Sequence, residues 1–98
     1  MTANYVQLRV RLLVDFTITM KIKILYFAEL AELAGKSEET KHVIDSSLCA
    51  LYADLRKTYN FNQEFTQLQV AVNHQLSAHN TELRDGDSVA FLPPMTGG

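Results

Sequence analysis

The sequence predicts an α+β fold, a single domain in which a sheet packs on one main helix. Three observations carry that prediction. Ile22, Ile24 and Tyr26 recur every second residue, the period of a half-buried strand. Leu48, Leu51, Tyr52, Leu55 and Tyr59 recur at the spacing of one helical stripe. Val89 and Phe91 repeat the strand period inside Ser88–Leu92, close to the end of the chain. Ninety-eight residues, 47% of them hydrophobic, suffice for one small core, and no linker, repeat or low-complexity run divides them.

The first nineteen residues stand apart. Val6, Leu8, Val10 and Leu12 alternate with Gln7, Arg9 and Arg11, again a strand period. Arg9, Arg11 and Asp15 interrupt the apolar run, so it reads as a poor signal peptide and as too short and too charged for a membrane span. Met20 stands directly before a new strand pattern, which leaves an upstream translation start, the reading preferred here, or an accessory strand. Residues 1–19 are therefore expected to be an extension to a domain spanning 20–94, with 95–98 as a tail.

Within the domain, each element has a local reason. Lys21 to Tyr26 forms the first strand with Ile22, Ile24 and Tyr26 inward. Phe27 to Ala34 is rich in Ala, Glu and Leu and stops at Gly35, a suitable helix C-terminus. Thr40–Ile44 reads as a second strand, and Asp45 and Ser46 as caps for the main helix. Leu68, Val70 and Val72 begin another strand, Gln75–Ala78 a short return, and Arg84-Asp85-Gly86-Asp87 a turn before the last strand.

The chain then ends on Pro93-Pro94-Met95-Thr96-Gly97-Gly98. Proline cannot donate to a sheet and favours extended backbone, so Pro93 and Pro94 end the strand and direct the rest away from the body. Glycine lacks a Cβ and passes through narrow channels. From Pro94 to Gly98 an extended chain reaches roughly 13–14 Å at about 3.3–3.6 Å per residue. That length suits insertion of a free Gly98 carboxylate into the active site of another protein.

Strand, short helix, strand, long helix and further strands ending in Gly-Gly resemble the ubiquitin-like β-grasp fold, a mixed sheet on one main helix. Three segments carry a narrower likeness: Lys21-Ile22-Lys23-Ile24-Leu25-Tyr26-Phe27-Ala28, Val72-Asn73-His74-Gln75, and Leu83 to Gly98. Together they resemble the molybdopterin synthase small subunits, the sulfur carriers of molybdenum cofactor biosynthesis. The likeness covers Met20 to Gly98 and leaves residues 1–19 outside it.

That resemblance implies a carrier with no catalytic site of its own. The Gly98 carboxylate would be adenylated by a ubiquitin-activating-type adenylyltransferase, which uses the ATP, and converted to a thiocarboxylate by an indirect sulfur donor. Pro94, Met95, Thr96 and Gly97 would insert into the large, catalytic synthase subunit, where sulfur passes to a cyclic pterin phosphate to build the dithiolene. Phe27 and Leu92 would contact that subunit. No permanently bound cofactor is expected. Alternatives are a carrier of the same fold for thiamine or cysteine synthesis, a ubiquitin-like protein modifier, or a passive ubiquitin-like interaction domain with an unreactive C-terminus.

Strand parity offers an independent argument for a docking surface. If Ile22, Ile24 and Tyr26 face the helix, Leu25 and Phe27 face away, and if Val89 and Phe91 face inward, so does Leu92 face outward. Apolar residues on the open face of a one-sided sheet mark an interaction site; the alternatives are that residues 1–19 or a loop cover them, or that Leu92 belongs partly to the core. Ten acids against seven bases within 20–98 point to a basic partner surface, and the net charge of −2 argues against nucleic acid.

The other reactive groups read as ordinary. His42, His74 and His79 lack metal-ligand spacing, so no metal is expected, and an iron–sulfur cluster fails on cysteine count. Cys49, the only cysteine, excludes an internal disulfide, fits a reducing cytoplasm, and reads as a small packing residue beside the helix stripe. No triad, acid pair or phosphate loop supports an independent enzyme.

A chain beginning at Met20 is expected to be as stable and active as the full one. Thermal melts of both, with terminal peptide mapping of native protein, check this; a large loss of stability would place Val6, Leu8, Val10 and Leu12 in the core.

Overall fold

A computed structural model describes residues 19–94; residues 1–18 and 95–98, with the expected N-terminal extension and the tail from Met95 to Gly98, lie outside the described residues. Lys21 and Lys23 point to solvent while Ile22 and Ile24 are fully buried, so β1 (Met20–Leu25) follows its sequence period. The next helix, α1 (Ala28–Ala34), has two turns and ends at Gly35, whose φ of 74° is the left-handed cap conformation that glycine accepts without strain. So short a helix is marginal alone. Leu30, fully buried, fixes it to the core.

The second strand begins earlier than expected. β2 spans Glu38–Val43 rather than 40–44, and it pairs antiparallel with all of β1, from Met20 opposite Val43 to Leu25 opposite Glu38. Glu38 and Glu39 have weak strand propensity, but the ladder with β1 overrides it. Ile44 falls outside the strand and is exposed. The cap of the main helix also differs: Asp45 and Ser46 precede it, and Ser47 is the N-cap of α2 (Leu48–Tyr59), its Oγ accepting from the Ala50 amide at 3.1 Å. Asp45 instead accepts from the Ser47 amide, holding the approach to the helix.

The stripe on α2 packs as its spacing dictates. Leu48, Leu51, Tyr52 and Leu55 are buried, and Tyr59 is partly so. Full burial of one such leucine is worth about 1.5–3 kcal/mol. Tyr52 stacks near Phe61, Phe65 and Phe91, with ring centroids 6.0, 6.0 and 5.1 Å away, and its hydroxyl donates to the Gln63 carbonyl at 2.8 Å. After a 3₁₀ turn at Phe65–Gln67, β3 (Gln69–Val72) and β4 (Gln75–Ser77) form a hairpin through Asn73 and His74, both at positive φ.

The last strand, β5 (Ser88–Leu92), enters the middle of the sheet. It runs parallel to β1 and antiparallel to β3, giving the order β2-β1-β5-β3-β4 among the described residues. This is the mixed sheet on one main helix that the resemblance implies. The turn before β5 is tied down by backbone bonds: the Gly86 amide donates to the Lys21 carbonyl at 2.9 Å and the Asp87 amide to the Arg84 carbonyl at 3.0 Å. Gly86 sits at φ 90°, which side-chain-bearing residues rarely adopt.

One polar cluster joins the two layers. Tyr26 and Tyr59 both donate from their hydroxyls to the Glu39 carboxylate, and Lys36 pairs with it at 3.7 Å while lying over the Tyr59 ring. Burial, then the hydrogen bond and charge of Glu39, push the Tyr26 phenol far above its ordinary range, so it remains a donor. Burial acts to raise the Glu39 carboxyl, but the hydrogen bonds from the two tyrosines and the charges of Lys36 and Lys41 outweigh it and hold the group below the usual carboxylate range.

A carboxyl depressed in the folded state stabilises the fold above its unfolded pKa of about 4.3 and ceases to do so as pH falls through the folded value. Glu39→Gln is therefore expected to cost on the order of 1 kcal/mol at pH 7 and to flatten the acid limb of the stability profile. Thermal melts from pH 7 to pH 3 measure this, and an unaltered acid limb would remove Glu39 from the account.

Candidate functional site

The face of the sheet turned away from α2 is built by the same alternation that builds the core. Ile24, Val89 and Val70 point inward and are buried, so Leu25, Ala90 and Ala71 point outward. The register places these three side by side, with Leu25 opposite Ala90 and Ala90 opposite Ala71. Two alanines in the middle of a row flanked by larger residues leave a depression. It has a volume of about 210 Å³ and is lined by Leu25, Phe27, Ala71, His74, Ser88, Ala90 and Leu92.

Both residues singled out for partner contact in the sequence reach this depression. Phe27 is 49% exposed because it precedes α1 in extended conformation, its carbonyl receiving the first helical amides while its ring stays in solvent. Leu92 is half-buried on the outward side of β5, next to the fully buried Phe91. Pro94 is exposed beyond the strand. Met95, Thr96, Gly97 and Gly98 lie outside the described residues.

Leu76 was missed in the sequence and belongs to the same face. It lies opposite Ala71 in the β3–β4 hairpin and is 67% exposed, extending the apolar row to the sheet edge. The signal was present in Val72-Asn73-His74-Gln75: a two-residue turn with Asn first pairs Val72 with Gln75 and hence Ala71 with Leu76. The turn is held by the Asn73 side chain, which donates to Asp87 at 2.9 Å and accepts from the Ser88 amide at 3.0 Å. That clamp also brings His74 to the rim of the depression.

A larger depression, about 540 Å³, lies along α2 and the following loop, lined by Cys49, Arg56, Phe61 and Phe65 among others. On its rim Arg56 donates to the Phe61 carbonyl at 3.1 Å and pairs with Glu64 at 3.3 Å. Cys49 is exposed there rather than packed, because its position directly after Leu48 turns it off the buried stripe. Among the described residues no group of three or more His, Cys, Asp and Glu could hold a metal ion, and no helix is long and apolar enough to cross a membrane. His79 is used structurally, bonded through Nε2 to the Leu68 carbonyl at 2.7 Å and set edge-on to Phe65.

Comparison with known proteins places this geometry. The profile described as the ThiS family matches residues 24–98. The molybdopterin synthase sulfur carrier subunit of Escherichia coli (strain K12) is 37% identical over 81 residues, covering 79% of this chain and 99% of that protein. Among solved structures, the Haloferax volcanii HVO 2177 protein superposes with a TM-score of 0.69 at 23% identity, over 83% of this chain and 89% of that one, a likeness of fold. A chain of the complex of subunits 1 and 2 of molybdopterin-converting factor from Helicobacter pylori 26695 matches with a TM-score of 0.54 and 28% identity, over 81% of this chain and all of that one.

The two faces of the sheet predict opposite responses. Phe27→Glu and Leu92→Glu are expected to cost less than about 1 kcal/mol of stability, as surface substitutions do. Phe91→Ala is expected to cost about 3–5 kcal/mol through the cavity it leaves. Denaturant titration of the three variants checks this, and a collapse of Leu92→Glu would put that side chain in the core.

Proposed function

The chain belongs to the ThiS family, and from that premise we propose that it is the sulfur-carrier small subunit of a molybdopterin synthase, working in the cytoplasm. Identity of 37% to the Escherichia coli carrier subunit, across nearly all of that protein, supports the choice of pathway. The observation that carries the mechanism is the position of Leu92. It is at once a wall of the apolar depression and the last residue of β5, so a partner seated on the depression meets the tail at its root. Docking and delivery are thereby coupled. The partner proposed is the large synthase subunit, with Phe27 and Leu92 as anchors.

The chemistry belongs to the C-terminus. A carboxylate is a poor acylating group, so an oxygen of Gly98 attacks the α-phosphorus of ATP on an adenylyltransferase and pyrophosphate leaves. A sulfide-level donor then attacks the acyl carbon, the bond to AMP breaks, and a thiocarboxylate remains. Sulfur is held there as a nucleophile. Pro94, Met95, Thr96 and Gly97 carry it into the large subunit, where the sulfur displaces an oxygen substituent from a carbon of the cyclic pterin phosphate and water then cleaves the acyl–sulfur bond, returning Gly98 as a carboxylate. Two deliveries are needed for each dithiolene, so the spent carboxylate is recharged between them.

The body contributes position rather than catalysis. Among the described residues the buried side chains are apolar or tyrosine, and the core ends with Phe91. Deleting Gly98 should therefore leave the melting temperature unchanged while eliminating pyrophosphate exchange on the adenylyltransferase. Continued exchange by the truncated chain would overturn the terminal-carboxylate reading. Phe27→Glu or Leu92→Glu should weaken binding to the large subunit by about 2 kcal/mol or more, because each buries an unpaired charge at an anchor. Titration calorimetry with the large subunit measures this, and unchanged affinity would remove both residues from the interface.

A further inference from the structure

A second depression adjoins the apolar one and has the opposite character. Its volume is about 350 Å³, and it is lined by Lys21, Lys23, Thr40, Gly86 and Ser88. Ser88 lines both depressions, so the two meet at β5. The strand period explains the division. On β1 the outward positions read Lys21, Lys23, Leu25, and on β5 they read Ser88, Ala90, Leu92, so both strands pass from polar to apolar in the same direction. Pairing of Lys23 with Ser88 and with Thr40, and of Lys21 with His42, collects cations and hydroxyls in one half of the face.

The charge there runs against the chain as a whole. The protein carries eleven acids and nine bases, yet none of the residues lining this depression is acidic; Asp85 stands at its edge, accepting from the Lys21 amide at 2.8 Å. Among the described residues the Lys21 ammonium makes no ion pair, and Lys23 meets Glu38 at 3.6 Å with both side chains about half exposed. Two ammonium groups two residues apart on one strand face repel each other, and an acidic group from outside relieves that repulsion.

We propose that this depression receives acidic side chains of the large synthase subunit, beside the apolar contact at Phe27 and Leu92. The inference rests on the docking reading above and gives it a polarity: the partner surface is apolar where it meets the root of the tail and acidic toward Lys21. It also reverses, for this face, the basic partner that total charge implies. Because the site is open to solvent, its contribution lies in steering and register, and it is sensitive to salt. Two kinds of donor, the ammonium groups and the Thr40 and Ser88 hydroxyls, suit a carboxylate better than an apolar side chain.

The test is binding of the large subunit to the full chain at low and high sodium chloride, by stopped flow and calorimetry. The wild type should lose affinity as salt rises. Lys21→Glu with Lys23→Glu should slow association about 10-fold or more at low salt and abolish or invert the salt dependence, with the neutral pair Lys21→Gln and Lys23→Gln intermediate. Leu92→Ala, which changes no charge, should lose affinity at every salt concentration while keeping the wild-type slope. If the charge-reversed and neutral variants, both folded by thermal melt, bind with the wild-type rate and slope, the proposal is overturned, even if they are poorly charged by the adenylyltransferase. In that case weak binding by Leu92→Ala would leave the docking reading standing. Absence of binding by the wild type would overturn both.

Discussion

The parallel ladder between the first and last strands is the constraint on which the rest depends. β5 lies between β1 and β3, so it is paired on both edges, and its inward residues Val89 and Phe91 have no solvent exposure. Phe91 meets Tyr52 at 5.1 Å between ring centroids, which locks the sheet to α2. Parallel neighbours need a crossover connection, and here everything from α1 to the Arg84–Asp87 turn supplies it. The final strand is thus held at the centre of the fold, and the backbone beyond Leu92 departs from a fixed point.

That placement separates two tasks along one strand. Alternate residues of β5 bury into the core or line the outer face, so the core and the outer depression draw on different side chains in the same five residues. A sheet covered on one side only would ordinarily keep its other face polar. Here the open face is divided, with Leu25, Ala71, Ala90 and Leu92 at one end and Lys21, Lys23 and Ser88 at the other. The core supports the face without taking part in chemistry.

Much of this was legible because it rests on periodicity. Alternation fixed the inward residues of β1 and β5, and the stripe from Leu48 to Tyr59 fixed the buried side of α2. Parity alone then placed Phe27 and Leu92 on the same outer face. What escaped depends on pairing rather than on local pattern. Glu38 and Glu39 join β2 because β1 offers them a ladder, and Leu76 joins the outer face because the Asn73-His74 turn sets its register. Ser47 rather than Ser46 caps α2 because Asp45 already binds the Ser47 amide. The lysines on the outer face escaped for a related reason: net charge sums the whole surface, whereas strand register collects Lys21 and Lys23 on one side of the sheet.

The central claim is that this fold carries sulfur on Gly98. Intact and peptide mass of the protein purified from cells making molybdenum cofactor tests it most directly. The account predicts a fraction in which one oxygen is replaced by sulfur, located on the peptide ending at Gly98. An unmodified C-terminus under those conditions, or sulfur found on Cys49 instead, would contradict it.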